Sequence, residues 1–178
     1  RINALAIDGD RLYVAGNFFH IGPQDFPVDF ERPVNAGIVA IKRKIKRTTE
    51  DTDSLRDDSW RPRCDGIVST FVIAGNRMYV GGTFTEIGRS IKRYLAALDI
   101  ATATAIPWEP NPDGQVTTLA VAQGTVFAGG EFFNIGGALR SKLAALDTIS
   151  GRAKGFVANA NLPVNALAVS GPTLYAGG

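Results

Sequence analysis

Histidine occurs once in the chain, at residue 20, and cysteine once, at residue 64. Zinc, copper and haem sites draw mainly on those two residue types, so most schemes for a metal centre built from this chain alone fall away, and no cofactor is expected. One cysteine makes no internal disulfide and has no resolving partner. Cys64 sits in Arg61-Pro62-Arg63-Cys64-Asp65-Gly66 with no candidate base beside it in sequence, which is the setting of a small filler residue rather than of a nucleophile. Asp99 and Asp147 each end an identical Leu-Ala-Ala-Leu-Asp run at the start of a turn, where a carboxylate accepts bonds from the next backbone N–H groups. They read as turn-formers, not as an acid–base pair.

Two stretches remain in which side chains of mixed chemistry cluster. Pro23–Pro33 interleaves aromatics, prolines and charges, and aromatics beside arginine are what protein interfaces favour. Asp25, Phe26, Asp29, Phe30, Glu31 and Arg32 are therefore the candidate interface residues. A loop folded back over its own sheet, with Phe26 and Phe30 buried, fits the same composition. The second stretch is basic, Lys42-Arg43-Lys44-Ile45-Lys46-Arg47, with Glu50, Asp51, Asp53, Asp57 and Asp58 close behind it. A basic run can bind nucleic acid. Here the acidic run supplies internal neutralisation and no aromatics interleave, so a solvated, salt-bridged extension is expected and nucleic acid is not.

Bulk composition agrees. Net charge is +2, too small to draw an anionic partner by itself. Apolar residues make up 45% and charged residues 20%, an ordinary globular balance over 178 residues. No uncharged apolar run reaches the length of a membrane span.

What must position these residues is a repeat. Tyr79-Val80-Gly81-Gly82-Thr83-Phe84-Thr85-Glu86-Ile87-Gly88 returns at Tyr13–Gly22 and Phe127–Gly136, and a fourth copy opens at Tyr175-Ala176-Gly177-Gly178. Units begin at Ile2, Val68, Val116 and Val164, spaced 66, 48 and 48 residues apart. Residues 68–115 and 116–163 align without a gap and are identical at 15 of 48 positions. A period of 40–50 residues built from short strands is a propeller signature.

Each unit reads as four strands. Strand a covers Ile2–Ile7, Val68–Ile73, Val116–Val121 and Val164–Val169, apolar on both faces as a strand packed between sheets must be. A Gly-bearing tight turn leads to strand b, the Tyr-Val-Gly-Gly-x-Phe segment. Strand c is Ile38–Lys42, Leu95–Asp99 and Leu143–Asp147. Strand d ends at Trp60, Trp108 or Phe156. The glycine doublet provides for close backbone approach, and its hollow is expected to receive the strand-d aromatic. Unit 1 exceeds its siblings by nine residues between Gly22 and Ile38 and by nine more between Lys42 and Trp60. The two insertions hold the interface candidates and the charged run, and are expected on opposite sides of one blade. His20 takes the place of Glu86 and Asn134, a polar rim position.

The run aromatic-Val-Gly-Gly-x-Phe-x-x-Ile-Gly, then Leu-Ala-x-Leu-Asp, then Trp, resembles kelch-type blades. More specifically it resembles the delta-60 propeller repeats of large bacterial surface and secreted proteins and of fungal cortical polarity markers. The resemblance implies an all-β chain: a β-propeller fragment of about 48-residue four-stranded blades, three complete (1–67, 68–115, 116–163) and the start of a fourth (164–178). On that reading the remaining blades come from more of the same polypeptide or from another copy. No acid–base pair, nucleophile–histidine arrangement, phosphate loop or metal cluster recurs in the sequence, so a non-enzymatic binding or scaffold module of a larger extracellular or cell-surface protein is expected, with other proteins or further blades as partners. The alternative is part of a propeller enzyme with its site in the central funnel, completed by other blades. The inner strands here offer mainly Ala, Leu, Val, Ser, Thr and Asn, which favours the module.

Overall fold

The computed structural model describes residues 1–17, 37–42 and 59–178. Among them there is no helix, and every sheet is small and antiparallel. None of the sheets closes on itself.

Unit 1 contributes β1 (Ile2–Asp8), β2 (Arg11–Gly16) and β3 (Ile38–Lys42), paired in that order. Unit 2 contributes β4 (Val68–Ala74), β5 (Arg77–Gly82), the two-residue strands β6 (Glu86–Ile87) and β7 (Ser90–Ile91), and β8 (Leu95–Asp99). Unit 3 repeats this as β9 (Val116–Ala122), β10 (Thr125–Gly130), β11 (Asn134–Ile135), β12 (Ala138–Leu139) and β13 (Leu143–Asp147), and adds β14 (Ala153–Val157). Unit 4 supplies the hairpin β15 (Ala166–Ser170) and β16 (Thr173–Gly177). Strands a, b and c thus form where the repeat places them.

Strand d does so only in unit 3, whose sheet runs β14-β13-β10-β9. In unit 2 the corresponding segment is reduced to a single bridge, Leu98 to Ala105. Its sequence is Ile106-Pro107-Trp108-Glu109-Pro110, and proline has no N–H to give a ladder. Unit 3 has Lys154-Gly155-Phe156-Val157 there, and the strand forms. The four-stranded expectation is corrected for unit 2; in unit 1 the strand-d segment lies largely outside the described residues.

The two-residue hairpins β6–β7 and β11–β12 fill the b–c connection. Each turns through two central residues of positive φ, Gly88 (62°) with Arg89 (67°), and Gly136 (63°) with Gly137 (77°). That is the mirror-image turn whose twist matches antiparallel strands, and the non-glycine Arg89 bears its strain.

Alternation along the strands explains the packing. From β5 and β8, Met78, Val80, Ala96 and Leu98 join a cluster with Tyr13, Ile38 and Trp60 of unit 1 and with Val68 of their own unit. Tyr79, Leu95 and Ala97, on the opposite face, join Trp108, Val116, Leu119, Val126 and Leu146. One sheet is buried on both faces because its two neighbours lie against it, and side chains of period two serve both. Strand a of each unit lies against strand a of the next, β1 by β4, β4 by β9 and β9 by β15.

The glycine doublet has a different use from the one its sequence suggests. A Cβ on Gly81 would stand 2.8 Å from Val116 Cγ1 and 3.0 Å from Thr70 Cγ2; one on Gly129 would stand 2.8 Å from Val164 Cγ1. The hollow of each sheet receives the first valine of the next unit, not the strand-d aromatic. The second glycine faces the connection into its own strand a: a Cβ on Gly82 or Gly130 would collide with the carbonyl of Ile67 or Gln115. The aromatics meet elsewhere. Trp60 stands edge-on to Tyr13 at 5.0 Å, Trp108 to Tyr79 at 4.9 Å and Phe156 to Phe127 at 6.1 Å. Each tryptophan also donates its indole N–H across to the end of strand c in the following unit, Trp60 to Ile100 O (2.8 Å) and Trp108 to Asp147 O (2.9 Å).

A Gly81→Val substitution should therefore lower stability by about 1–3 kcal/mol through overpacking against Val116, read from urea midpoints. Gly177→Val, where a Cβ meets nothing within 4 Å, should leave the midpoint of the monomer unchanged.

Candidate functional site

The candidate interface residues Asp25, Phe26, Asp29, Phe30, Glu31 and Arg32 lie outside the described residues, as do His20 and the basic run 43–47. The described backbone does fix where the first insertion leaves and rejoins the sheet. Gly16 N–H donates to Gly37 O (3.0 Å) and Asn17 N–H to Arg1 O (2.9 Å), so both ends are stitched beside the last residue of β2. In units 2 and 3 the same connection is β6–β7 and β11–β12. Asn17 and Gly37 therefore stand on the rim that carries the small hairpins.

That rim carries exposed aliphatic and aromatic side chains. Ile91 is 78% exposed and its counterpart Leu139 is 66% exposed, each on the outgoing strand of its hairpin. Phe133, 55% exposed, lies under the Lys142 ammonium, 4.2 Å from Nζ to ring centroid. Arg140 reaches back from the same connection to the carbonyls of Leu139 (2.8 Å) and Lys154 (3.0 Å). Lys92, its counterpart in unit 2, is buried, forms an ion pair with Glu109 and donates to Trp108 O (3.4 Å). The spacing Gly88-x-x-Ile91 and Gly136-x-x-Leu139 was visible in sequence. Only the turn geometry turns those aliphatics outward.

The carboxylates are committed to the backbone. Asp65 accepts from the N–H groups of Thr85 (2.8 Å) and Glu86 (2.9 Å) and from the Thr85 hydroxyl. Asp113, one repeat on, accepts from Phe133 N–H (2.8 Å), Asn134 N–H (3.0 Å) and Asn134 Nδ2 (2.7 Å). Both precede strand a and pin the rim hairpin of the unit that follows. Partial burial alone would raise these carboxyls, but the donated hydrogen bonds outweigh it and hold both below their ordinary value. Asp99 and Asp147 form the turns expected of them. Asp99 accepts from Thr102 N–H (2.9 Å), the Thr102 hydroxyl (3.0 Å) and Ala101 N–H (3.0 Å). Asp147 does the same with Ser150 and Ile149. Bonds from Thr102 and from Ser150 depress the two carboxyls.

Cys64 is buried, its Sγ donating to Gly66 O at 3.2 Å, and burial pushes the thiol up to about 12. It is a filler between units, as its surroundings in sequence suggested, and not a nucleophile at neutral pH. Among the described residues no three His, Cys, Asp or Glu side chains gather where they could hold a metal ion. Nor, among those residues, is any helix long and apolar enough to cross a membrane. Compared with family models and with curated proteins, the chain matches none.

Two pH effects follow. Asp65 and Asp113 have lowered folded-state values, so they stabilise the fold above the ordinary 3.8 and that contribution disappears as pH falls below it. Asp113→Asn should flatten the acid limb of urea midpoints measured from pH 5 to 2. Replacing Asp113 by Ala should cost about 1–2 kcal/mol at pH 7. Cys64 has a raised value, so its contribution is whole below the ordinary 9.0 and declines as pH climbs towards about 12. The stability advantage of wild type over Cys64→Ala should shrink over that range, and Cys64 should resist a thiol reagent at pH 8 until urea unfolds the chain.

Proposed function

We propose that the chain is a non-enzymatic protein-binding module, an arc of a β-propeller of the delta-60 or kelch-like kind within a larger surface or secreted protein. One observation carries the reading: the same connection, in successive units, presents an exposed aliphatic residue at the same place. Ile91 and Leu139 stand out from rigid two-residue hairpins whose backbone is fixed by Asp65 and Asp113. Exposed apolar groups on a preorganised frame, with Phe133 and cationic side chains beside them, have the composition of an interface core with a polar rim. The sequence between Asn17 and Gly37 carries Phe26, Phe30 and Arg32, residue types that dominate binding energy.

Propeller architecture is supported by the way the sheets follow one another, the unit-2 sheet buried on both faces and strand a packed against strand a. The scaffold reading is supported by the carboxylates. Asp65, Asp99, Asp113 and Asp147 each accept hydrogen bonds from turn or loop N–H groups, which is structural work.

Proteins of a cell-surface extract captured by the immobilised chain supply the candidates, each then purified and titrated against it. The double variant Ile91→Asp, Leu139→Asp should keep the wild-type melting temperature, because both side chains are exposed, and weaken the titrated affinity by about tenfold or more. An affinity equal to wild type, or turnover of a small molecule by the chain, would replace this reading.

A further inference from the structure

Two arginines on the rim of unit 2 stand where the backbone does not suit them. Arg89 closes the β6–β7 turn at φ 67°, and Arg63, in the connection that enters the unit, lies at φ 46°. Both are left-handed values that a long side chain adopts only at a cost. Unit 3 has better-suited residues in the same places, Gly137 (φ 77°) for Arg89 and Asn111 (φ 42°) for Arg63. A third arginine, Arg93, follows β7 where unit 3 has Ser141. The rim of unit 3 thus forms with no cation at any of these three positions.

All three arginines are exposed, and among the described residues none of their guanidinium groups has a hydrogen-bond or carboxylate partner. The backbone brings them to one surface. Gly88 N–H donates to Pro62 O and Asp65 N–H to Glu86 O (3.2 Å), so Arg63 runs beside the hairpin that bears Arg89. Lys92 N–H donates to Thr85 O (3.0 Å) and closes that hairpin next to Arg93. Between the arginines stands Ile91, 78% exposed. Two carboxylates share the surface: Asp65 accepts from the Thr85 and Glu86 N–H groups, and Glu86 stands across the hairpin from Ile91. Unit 2 lies between units 1 and 3, so this rim is exposed with a neighbour on either side.

Strand β7 is also an open edge. Bonded and unbonded pairs alternate along an antiparallel ladder. Thr85 and Lys92 are a bonded pair, so Glu86 and Ile91 are the unbonded one, and the Ile91 N–H and C=O point away from β6. No described residue bonds to them.

We propose that this rim binds an extended, acidic segment of a protein partner. The segment's backbone pairs with the open edge at Ile91, an apolar side chain covers the isoleucine, and carboxylates meet Arg63, Arg89 and Arg93. This rests on the binding-module reading and names the chemistry of what is bound. Guanidinium groups take carboxylates in paired hydrogen bonds, and an exposed strand edge accepts an added strand. A contact outside the chain accounts for arginine at two strained positions where Asn and Gly would relieve the backbone.

Peptides selected from a random display library on the full chain supply the probe, each then titrated by fluorescence anisotropy. Selected sequences should carry Asp or Glu around an aliphatic residue, and their affinity should fall about fivefold or more from low to high salt. Arg63→Asn, Arg89→Gly and Arg93→Ser together install the residues of unit 3. That triple variant should bind the same peptide roughly tenfold more weakly or worse, while its urea midpoint stays at or above that of wild type. Methylating the peptide's backbone nitrogens one at a time should find a position that costs about tenfold, the mark of strand pairing. A selection that yields no acidic sequences overturns the proposal, as does an affinity unmoved by the triple variant or by backbone methylation. So does a lowered midpoint of the triple variant, whose arginines then serve the fold, or tighter binding of single-stranded DNA than of any peptide. If the triple variant keeps its affinity while Ile91→Asp, Leu139→Asp loses it, the binding-module reading stands and only the acidic partner falls.

Discussion

A sheet whose two faces are both apolar has nowhere stable to sit except between two others, and that constraint governs this molecule. Strand c is the plainest example. Leu95-Ala96-Ala97-Leu98 is buried residue for residue, its odd positions facing unit 3 and its even positions facing unit 1. A soluble hairpin would need polar groups on one of those faces. Here each unit depends on its neighbours for roughly half its core, so stability is a property of the series, as in other stacked repeats.

Close stacking sets the backbone requirements in turn. Facing sheets stand about 10 Å apart when ordinary side chains interdigitate. Around Gly81 and Gly129 the next unit comes nearer than a Cβ allows, and the following valine fills the space. In unit 1 the equivalent residue is Ala15, fully buried beside Val68, so one methyl fits there. The bulges at Asn3, Ser69 and Thr117 belong to the same solution. Where strands a of neighbouring units converge, no backbone ladder joins them. At Asn3 and Thr117 the bulged side chain supplies a hydrogen bond to the neighbouring carbonyl in its place, satisfying a group that packing would otherwise strand.

Strands a, b and c were legible in the sequence because their information is periodic and local. Val68–Ile73 and Val116–Val121 lie within one residue of the observed strands, and the turns at Gly9, Gly75 and Gly171 have the positive φ their glycines predict. What was not legible came from relations between units. Nothing near Gly81 says that its hollow serves a valine 35 residues later rather than the aromatic of its own unit, because the choice is made by how sheets stack. The partners of Asp65 and Asp113 lie 20 and 21 positions away, on a rim hairpin too short to show a strand pattern. Pro107 and Pro110 did warn against a fourth strand in unit 2, and the repeat pattern masked them.

The division of labour between face and rim bears on how such a chain could change its partner without changing its fold. Substitutions at Gly81, Val116 or Trp108 strike contacts that two units share, so their cost is propagated through the series. Ile91, Leu139 and Phe133 stand on hairpins closed by two-residue turns and held by carboxylates outside the sheet-to-sheet contacts. Arg89 and Gly137 occupy the same strained turn position, and Ile91 and Leu139, or Thr85 and Phe133, differ in size and polarity at matched sites. The rim hairpins of units 2 and 3 are thus freer to vary than the stack beneath them, and on the proposed binding role recognition would change one hairpin at a time.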